Sequence, residues 1–127
     1  MSVKEVPDEV WAAWEQRSGP LVVTTAGDNG IPNSIYASIV NRTGDGRIAV
    51  ADNYFNKTAA NIRERKYAVV LFLTESGISY QIKGTVEYYT EGPRYREMLA
   101  WAKPEHPRKG VLLVNAEQVF RGGERLV

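Results

Sequence analysis

At 127 residues the chain has room for one domain with a single hydrophobic core, and the whole of 1–127 reads as that domain. Sixteen basic residues against fifteen acidic ones leave a net charge of +1, which removes the electrostatic case for nucleic acid or an anionic membrane as partner. Cysteine is absent, so disulfides, thiolate metal sites, cysteine nucleophiles and iron-sulfur clusters fall away together, and a lone histidine, His106, argues against a histidine metal cluster or a Ser-His-Asp triad.

The opening residues, Met-Ser-Val-Lys-Glu-Val-Pro, hold no apolar run of signal-peptide length, and no segment reaches the length of a membrane span. A cytoplasmic location is the resulting expectation. Residues 8–17 read as a helix, with Pro7 and Asp8 at its start, Gly19-Pro20 as its stop, and Trp11 and Trp14 placed to cap the end of a barrel. Residues 21–26 are β-rich, and Asn29-Gly30 signals a hairpin turn into a second strand over 31–40. Side chains alternate along a strand, so Ser34, Tyr36 and Ser38 share one face while Ile35, Ala37 and Ile39 share the other and point to the core.

Thr43-Gly44-Asp45-Gly46 forms the next turn, and a strand follows over 47–51. The chain then passes from strand to helix within 51–61, Ala-Asp-Asn-Tyr-Phe-Asn-Lys-Thr-Ala-Ala-Asn, with Asn56 in the N-cap position of a helix continuing through Ile62 and Arg65. The first amides of a helix have no intrahelical partner and lie at the positive end of its dipole, so an anion is stabilised there. Lys57 and Thr58 add an ammonium and a hydroxyl to that first turn, and Asn61 falls on the same helix face. This is the pattern of a phosphate site, and equally that of an ordinary solvated helix start.

Residues 67–73 are a continuous apolar run that reads as a central strand, and a long strand over 78–89 carries Gln81, Lys83 and Thr85 in alternation with Ile82 and Val86. A helix begins at Gly92-Pro93, with Tyr95, Met98, Leu99 and Ala102 forming one apolar stripe in which the methionine is core filler. Residues 103–107 are a polar loop that leaves His106 at the surface, 111–120 is the closing strand, and 121–127 is a tail. Six strands and three short helices, joined mostly by tight turns, predict a mainly β chain: a closed or partly closed antiparallel barrel of Greek-key type with helices at its ends. A barrel this small fills its own interior, so a cofactor binds outside it.

Gly-Ile-Pro-Asn-Ser-Ile-Tyr-Ala-Ser at 30–38, the Ile-Ala-Val-Ala strand, Lys-Thr-Ala-Ala-Asn-Ile at 57–62 and Gln-Ile-Lys-Gly-Thr-Val at 81–86, in that order, resemble the pyridoxamine 5′-phosphate oxidase-like, FMN-binding split-barrel family. The resemblance spans roughly residues 10–120, is sharpest at Lys-Thr-x-x-Asn, and looks closest to short single-domain bacterial FMN-binding proteins. It implies a six-stranded split barrel, a homodimer, and FMN in the groove between the two barrels. Lys57, Thr58 and Asn61 would hold the phosphate. Ser34, Ile35, Tyr36, Ala37, Ser38, Ala51, Asp52 and Asn53 would meet the ring and ribityl chain, partly through backbone N–H groups, and Gln81 or Lys83 would add a polar contact. Trp101 or the tail of the second subunit would cover the ring.

The implied activity is that of a flavoprotein oxidoreductase or electron carrier with no substrate or redox partner specified. The segment 121–127 has no counterpart to the Arg- and His-bearing C-terminal segment with which true pyridoxamine phosphate oxidases grip their substrate, so oxidation of vitamin B6 itself is not expected. No residue stands out as a general acid or base; Tyr36, Tyr54 and Asp52 qualify only by proximity to the expected ring. Two other readings stay open, a split-barrel enzyme using a deazaflavin or haem-like ligand, and a cofactor-free dimeric interaction module.

Overall fold

The computed structural model of the chain describes residues 3–127. Its elements in chain order are α1 (Asp8–Trp14), β1 (Leu21–Ala26), β2 (Pro32–Ala37), β3 (Val40–Arg42), β4 (Ile48–Asp52), α2 (Lys57–Glu64), β5 (Tyr67–Leu73), β6 (Ser79–Tyr89), α3 (Pro93–Trp101), β7 (Gly110–Arg121) and β8 (Glu124–Arg125). Every strand pairing is antiparallel, in the order β2-β1-β5-β6-β7-β4-β3, with β8 folded back on β7. Among the described residues no helix is long and apolar enough to cross a membrane.

The mainly β, antiparallel character agrees with the sequence pattern, but the strand count of six does not hold. The single strand expected over 31–40 is divided at Ser38–Ile39, because its first half pairs with β1 and its second with β4. β2 and β3 are the two edges of the sheet and also consecutive in the chain, so the sheet curls until its edges meet at that two-residue link. The Ala51 N–H donates to the Ile39 carbonyl at 3.0 Å, carrying the β3–β4 ladder into that link. The expected tail is partly ordered as well: residues 121–124 turn the chain so that β8 pairs with the end of β7.

Inside the curl, alternate residues of the strands form one core: Leu21 and Val23 of β1, Ile48 and Val50 of β4, Val70 and Phe72 of β5, Ile82 of β6, and Leu112 and Val114 of β7. Trp11 and Trp14 of α1 close this core as expected, Trp14 standing edge-on to Phe72 with ring centroids 5.6 Å apart. The helix is shorter than the composition suggested; Arg17 already bridges to Thr74 in extended pairing. α3 covers the outer face of β4 and β7. Met98 is fully buried there against Ala49, Ala51, Val111 and Leu113, with Tyr95, Leu99 and Trp101 around it. The small side chains of Ala49 and Ala51 let the helix lie close, so β4 is buried on both faces. Arg94 at the start of α3 forks onto Asp45 of the β3–β4 turn at 3.1 and 2.6 Å, and this pair holds the Asp45 carboxyl well below the usual carboxylate range.

The outer face of β2, β1, β5, β6 and the C-terminal end of β7 has no such cover among the described residues. Tyr36, Val22, Leu71, Gln81 and Phe120 form one transverse row across those five strands, in register from edge to interior. Tyr36 is 79 % exposed.

Candidate functional site

A cleft of about 260 Å³ opens at the seam. One wall is the end of β2 and the link that follows it, Ile35 to Ile39; the opposite wall is Ala51, Asn53, Tyr54 and Phe55 where β4 leaves the sheet, and His106 stands at its rim. β2 is an edge strand, so alternate N–H and C=O groups on its free side have no strand partner. Of the residues expected to meet a ring, Ile35, Tyr36, Ala37, Ser38, Ala51 and Asn53 come together here. The alternation read from the sequence holds along β2, with Ser34, Tyr36 and Ser38 exposed and Ala37 buried, but not at Ile39, which packs against the Met98 cluster because the chain changes partner there and Val40 takes the core side. Ser34 itself lies one register row away, sharing a 2.8 Å hydrogen bond with Thr24.

Asp52 is turned away from the cleft. Its side chain is buried, with Oδ1 accepting the Phe55 N–H at 2.9 Å and Oδ2 accepting the Tyr88 hydroxyl at 2.5 Å. Its carbonyl accepts the Lys109 N–H at 2.8 Å, and the Lys109 ammonium donates to the Phe55 carbonyl at 3.3 Å. The carboxylate therefore closes the 52–55 turn that forms one cleft wall, a structural task rather than the acid-base role its position in the chain suggested. Burial, and then the hydrogen bond to Asp52, push the Tyr88 phenol well above its ordinary value. A phenol whose pKa is higher folded than unfolded adds stability that is complete below the unfolded value, about 10, and falls away as pH rises through the folded value. Stability measured by urea unfolding is expected to decline above about pH 10 and to decline less steeply in Tyr88→Phe; equal slopes in the two proteins would show that Tyr88 is not the group responsible.

The strand-to-helix junction lies next along the chain. Asn56 occupies the N-cap position, with φ of −128° and ψ of −82°, but makes no side-chain capping bond; the Ala60 N–H donates to its carbonyl at 3.1 Å. The first-turn amides of α2 thus lack the side-chain acceptor that usually satisfies them. Lys57 is exposed beside them. Thr58 is only 1 % exposed, and its hydroxyl accepts from the Asn33 amide at 3.4 Å; the Asn61 amide donates to the Thr25 hydroxyl at 3.1 Å. Thr25 and Asn33 are register partners in the β1–β2 hairpin, so Thr58 and Asn61 fasten α2 onto that hairpin. Lys57 and Asn61 also line a second groove, with Asn33 and Glu64, at the start of β2, whereas the cleft lies at its end. The three residues of the expected phosphate site are therefore close in space with different exposures, Lys57 being the one open to solvent.

Gln81 is not brought to either cavity. It lies in the outer-face row, between Leu71 and Phe120, three strands away from β2. Lys83 sits in the same sheet face with its ammonium 5.2 Å from the Phe120 ring centroid. Conversely, Tyr54, Phe55 and His106 enter the cleft although the sequence pattern did not place the last of them there. His106 reaches it because Asp52 pairs with Gly110, which carries the preceding loop over the 52–55 turn. The Tyr54 and His106 rings stand nearly perpendicular, with centroids 6.0 Å apart. Among the described residues no three His, Asp or Glu side chains are grouped to hold a metal ion.

Comparison with known proteins bears on the same elements. The chain is 31 % identical over 103 residues to the uncharacterized protein MJ0282 of Methanocaldococcus jannaschii, an alignment that covers 77 % of this chain and 69 % of that one. Its fold is similar to that of HupZ from Group A Streptococcus, with a TM-score of 0.79 at 22 % identity over 91 % of this chain and 93 % of the other. An FMN-binding protein from Syntrophomonas wolfei superposes with a TM-score of 0.75 at 18 % identity, covering 87 % and 81 % of the two chains. A pyridoxamine 5′-phosphate oxidase-related, FMN-binding protein from Nostoc punctiforme gives 0.68 at 12 % identity, covering 93 % and 83 %. The family model for pyridoxamine 5′-phosphate oxidase matches residues 7–121, all eight strands but the last, and the chain belongs to that family.

Proposed function

We propose that this protein is an FMN-binding flavoprotein, with the phosphate at the start of α2 and the ring in the seam cleft. The observation that carries the reading is the uncapped first turn of α2 with Lys57 beside it, joined by β2 to an apolar cleft. Asn33 of β2 touches that first turn and Tyr36 to Ser38 line the cleft, a separation of three to five residues, or roughly 10–16 Å of strand. A ligand with an anionic group at one end and a planar ring at the other spans such a distance. Family membership and FMN-binding proteins of the same fold support the choice of FMN.

Bound flavin would supply electron or hydride transfer, as an oxidoreductase or an electron carrier. Lys57 and the α2 amides neutralise the phosphate charge, Thr58 and Asn61 hold the helix start in place, and Ile35, Ala37 and Ala51 give the ring an apolar bed. Free backbone groups of β2 meet its polar edge.

A homodimer is part of the proposal. The cleft, at about 260 Å³, is smaller than the roughly 300–1,000 Å³ of complete small-molecule sites, and it opens beside the uncovered outer-face row that begins with Tyr36. A second copy packed on that face would finish the site and bury the row in which Gln81 stands.

Titration with FMN, followed by flavin fluorescence, tests the reading. Tight binding by the parent is expected, with a loss of about 10- to 100-fold in Lys57→Ala, the worth of one charge-assisted hydrogen bond. Thr58→Val, which keeps the shape of the buried side chain, is expected to lose less. A folded parent that ignores FMN would overturn the proposal and turn attention to a deazaflavin or haem-like ligand, or to a cofactor-free interaction module.

A further inference from the structure

Arg108 has a φ of 48°, the only positive φ outside glycine among the described residues. Such a conformation persists only where the surroundings fix it from several sides, and such positions gather at ligand sites. Here the fixing groups are explicit. The Arg108 N–H donates to Asn53 Oδ1 at 3.0 Å, its carbonyl accepts the Tyr95 hydroxyl at 2.8 Å, and the next N–H, that of Lys109, donates to the Asp52 carbonyl at 2.8 Å.

Two residues earlier, His106 is fixed from its other side by a turn in which its N–H donates to the Lys103 carbonyl at 3.1 Å. The clamp on Arg108 therefore sets where the imidazole stands at the rim of the cleft. Nδ1 is 3.5 Å from the Tyr54 hydroxyl, and Nε2 is the ring nitrogen left over. The rest of the cleft is short of polar side chains. Ile35, Ala37, Ile39, Ala51 and Phe55 are apolar, Asn53 Oδ1 is taken by the Arg108 amide, Tyr54 is paired with His106 itself, and Tyr36 and Ser38 lie on the exposed face of β2. A site of this kind takes its specificity from the few polar groups that do converge on it.

We propose that His106 is a ligand-contact residue which hydrogen-bonds the acceptor-bearing edge of a planar heteroaromatic ring in the cleft, and that Asn53 and Tyr95 are positioning residues acting through Arg108. The identification of that ring as the flavin rests on the function proposed above. The chemistry required of the ligand is a flat apolar body with a carbonyl or ring nitrogen at its rim.

The test is an FMN titration of the parent, His106→Ala, His106→Gln, Asn53→Ala, Tyr95→Phe and the His106→Ala/Asn53→Ala double variant, each first shown to be folded by thermal unfolding. About a tenfold loss of affinity is expected in His106→Ala, from one hydrogen bond removed, with part of it regained in His106→Gln. Asn53→Ala and Tyr95→Phe are expected to weaken binding in the same direction, and the double variant to be no weaker than His106→Ala alone, because the positioning residues act only through the histidine. Tyr95→Phe keeps its bulk, so it gives a result even if Asn53→Ala does not fold. Parent-like affinity in His106→Ala, or losses that multiply in the double variant, would overturn this assignment while leaving the flavin reading intact. Absence of binding by the parent itself would overturn both.

Discussion

Gly84→Ala is expected to destabilise the fold by about 3–4 kcal/mol, a cost at the upper end of what overpacking produces. The β6–β7 register shifts between Lys83 and Gly84, and the irregularity brings the β7 backbone directly over residue 84. A methyl group there would press into the Asn115 carbonyl oxygen, with the carbonyl carbon 2.7 Å and the Ala116 Cα 3.2 Å away. These are main-chain atoms of β7, directly after the residues paired with β4 and held on the other side by the Lys4 N–H donating to the Ala116 carbonyl at 2.6 Å, so no side chain can swing aside to make room. For a domain of this size the penalty corresponds to a fall in melting temperature of roughly 10–15 °C, readable by circular dichroism. A loss below about 1 kcal/mol would show that β7 yields at its irregularity and that glycine is dispensable there.

Asp52→Ala is expected to cost about 2–4 kcal/mol, because it leaves the half-buried Tyr88 hydroxyl and the buried Phe55 N–H without acceptors. The distant Lys109 ammonium, 3.8 Å from Oδ1 on a half-exposed side chain, contributes little to that figure. Tyr88→Phe removes one of the stranded donors. The double variant Asp52→Ala/Tyr88→Phe should therefore be less destabilised than the sum of its parts, by about 1–3 kcal/mol in a mutant cycle followed by urea unfolding. Strict additivity would mean that the two side chains do not act as a pair. If the cleft binds FMN as proposed, both Asp52 variants should also bind it more weakly, since the 52–55 turn is a wall of the cleft.

Local rules made much of this fold readable in advance. Period-two alternation separated Ser34, Tyr36 and Ser38 from Ile35 and Ala37, and the 3.6-residue stripe of α3 placed Met98 in a core. What local rules lacked was the identity of the partner. Residues 31–40 look like one strand because Ile35, Ala37 and Ile39 continue one alternation; only the choice of β1 for one half and β4 for the other divides them at Ser38–Ile39, after which Val40 rather than Ile39 meets the core. The same blindness applies to Thr58. Its position in the first turn of a helix suggested an exposed hydroxyl, but the hairpin carrying Thr25 and Asn33 covers it. His106 was read as a surface residue because its neighbours are polar, and nothing within residues 103–107 reveals that the pairing of Asp52 with Gly110, 58 positions apart, delivers it to Tyr54.

The strand order also dictates a sequence of events during synthesis. β1, β2, β5 and β6 can pair with one another as they emerge, but β4 and β3 reach the rest of the sheet only through β7. Until residues 110–114 have left the ribosome, the hairpin of β3 and β4 has no place to dock, and Ile48 and Val50 have no core to enter. Pairings of such long separation come late, since the entropy of closing the intervening chain is spent before any contact offsets it. The cleft, whose walls come from β2 and from the turn after β4, is therefore absent from the nascent chain and opens only once the curled sheet is complete.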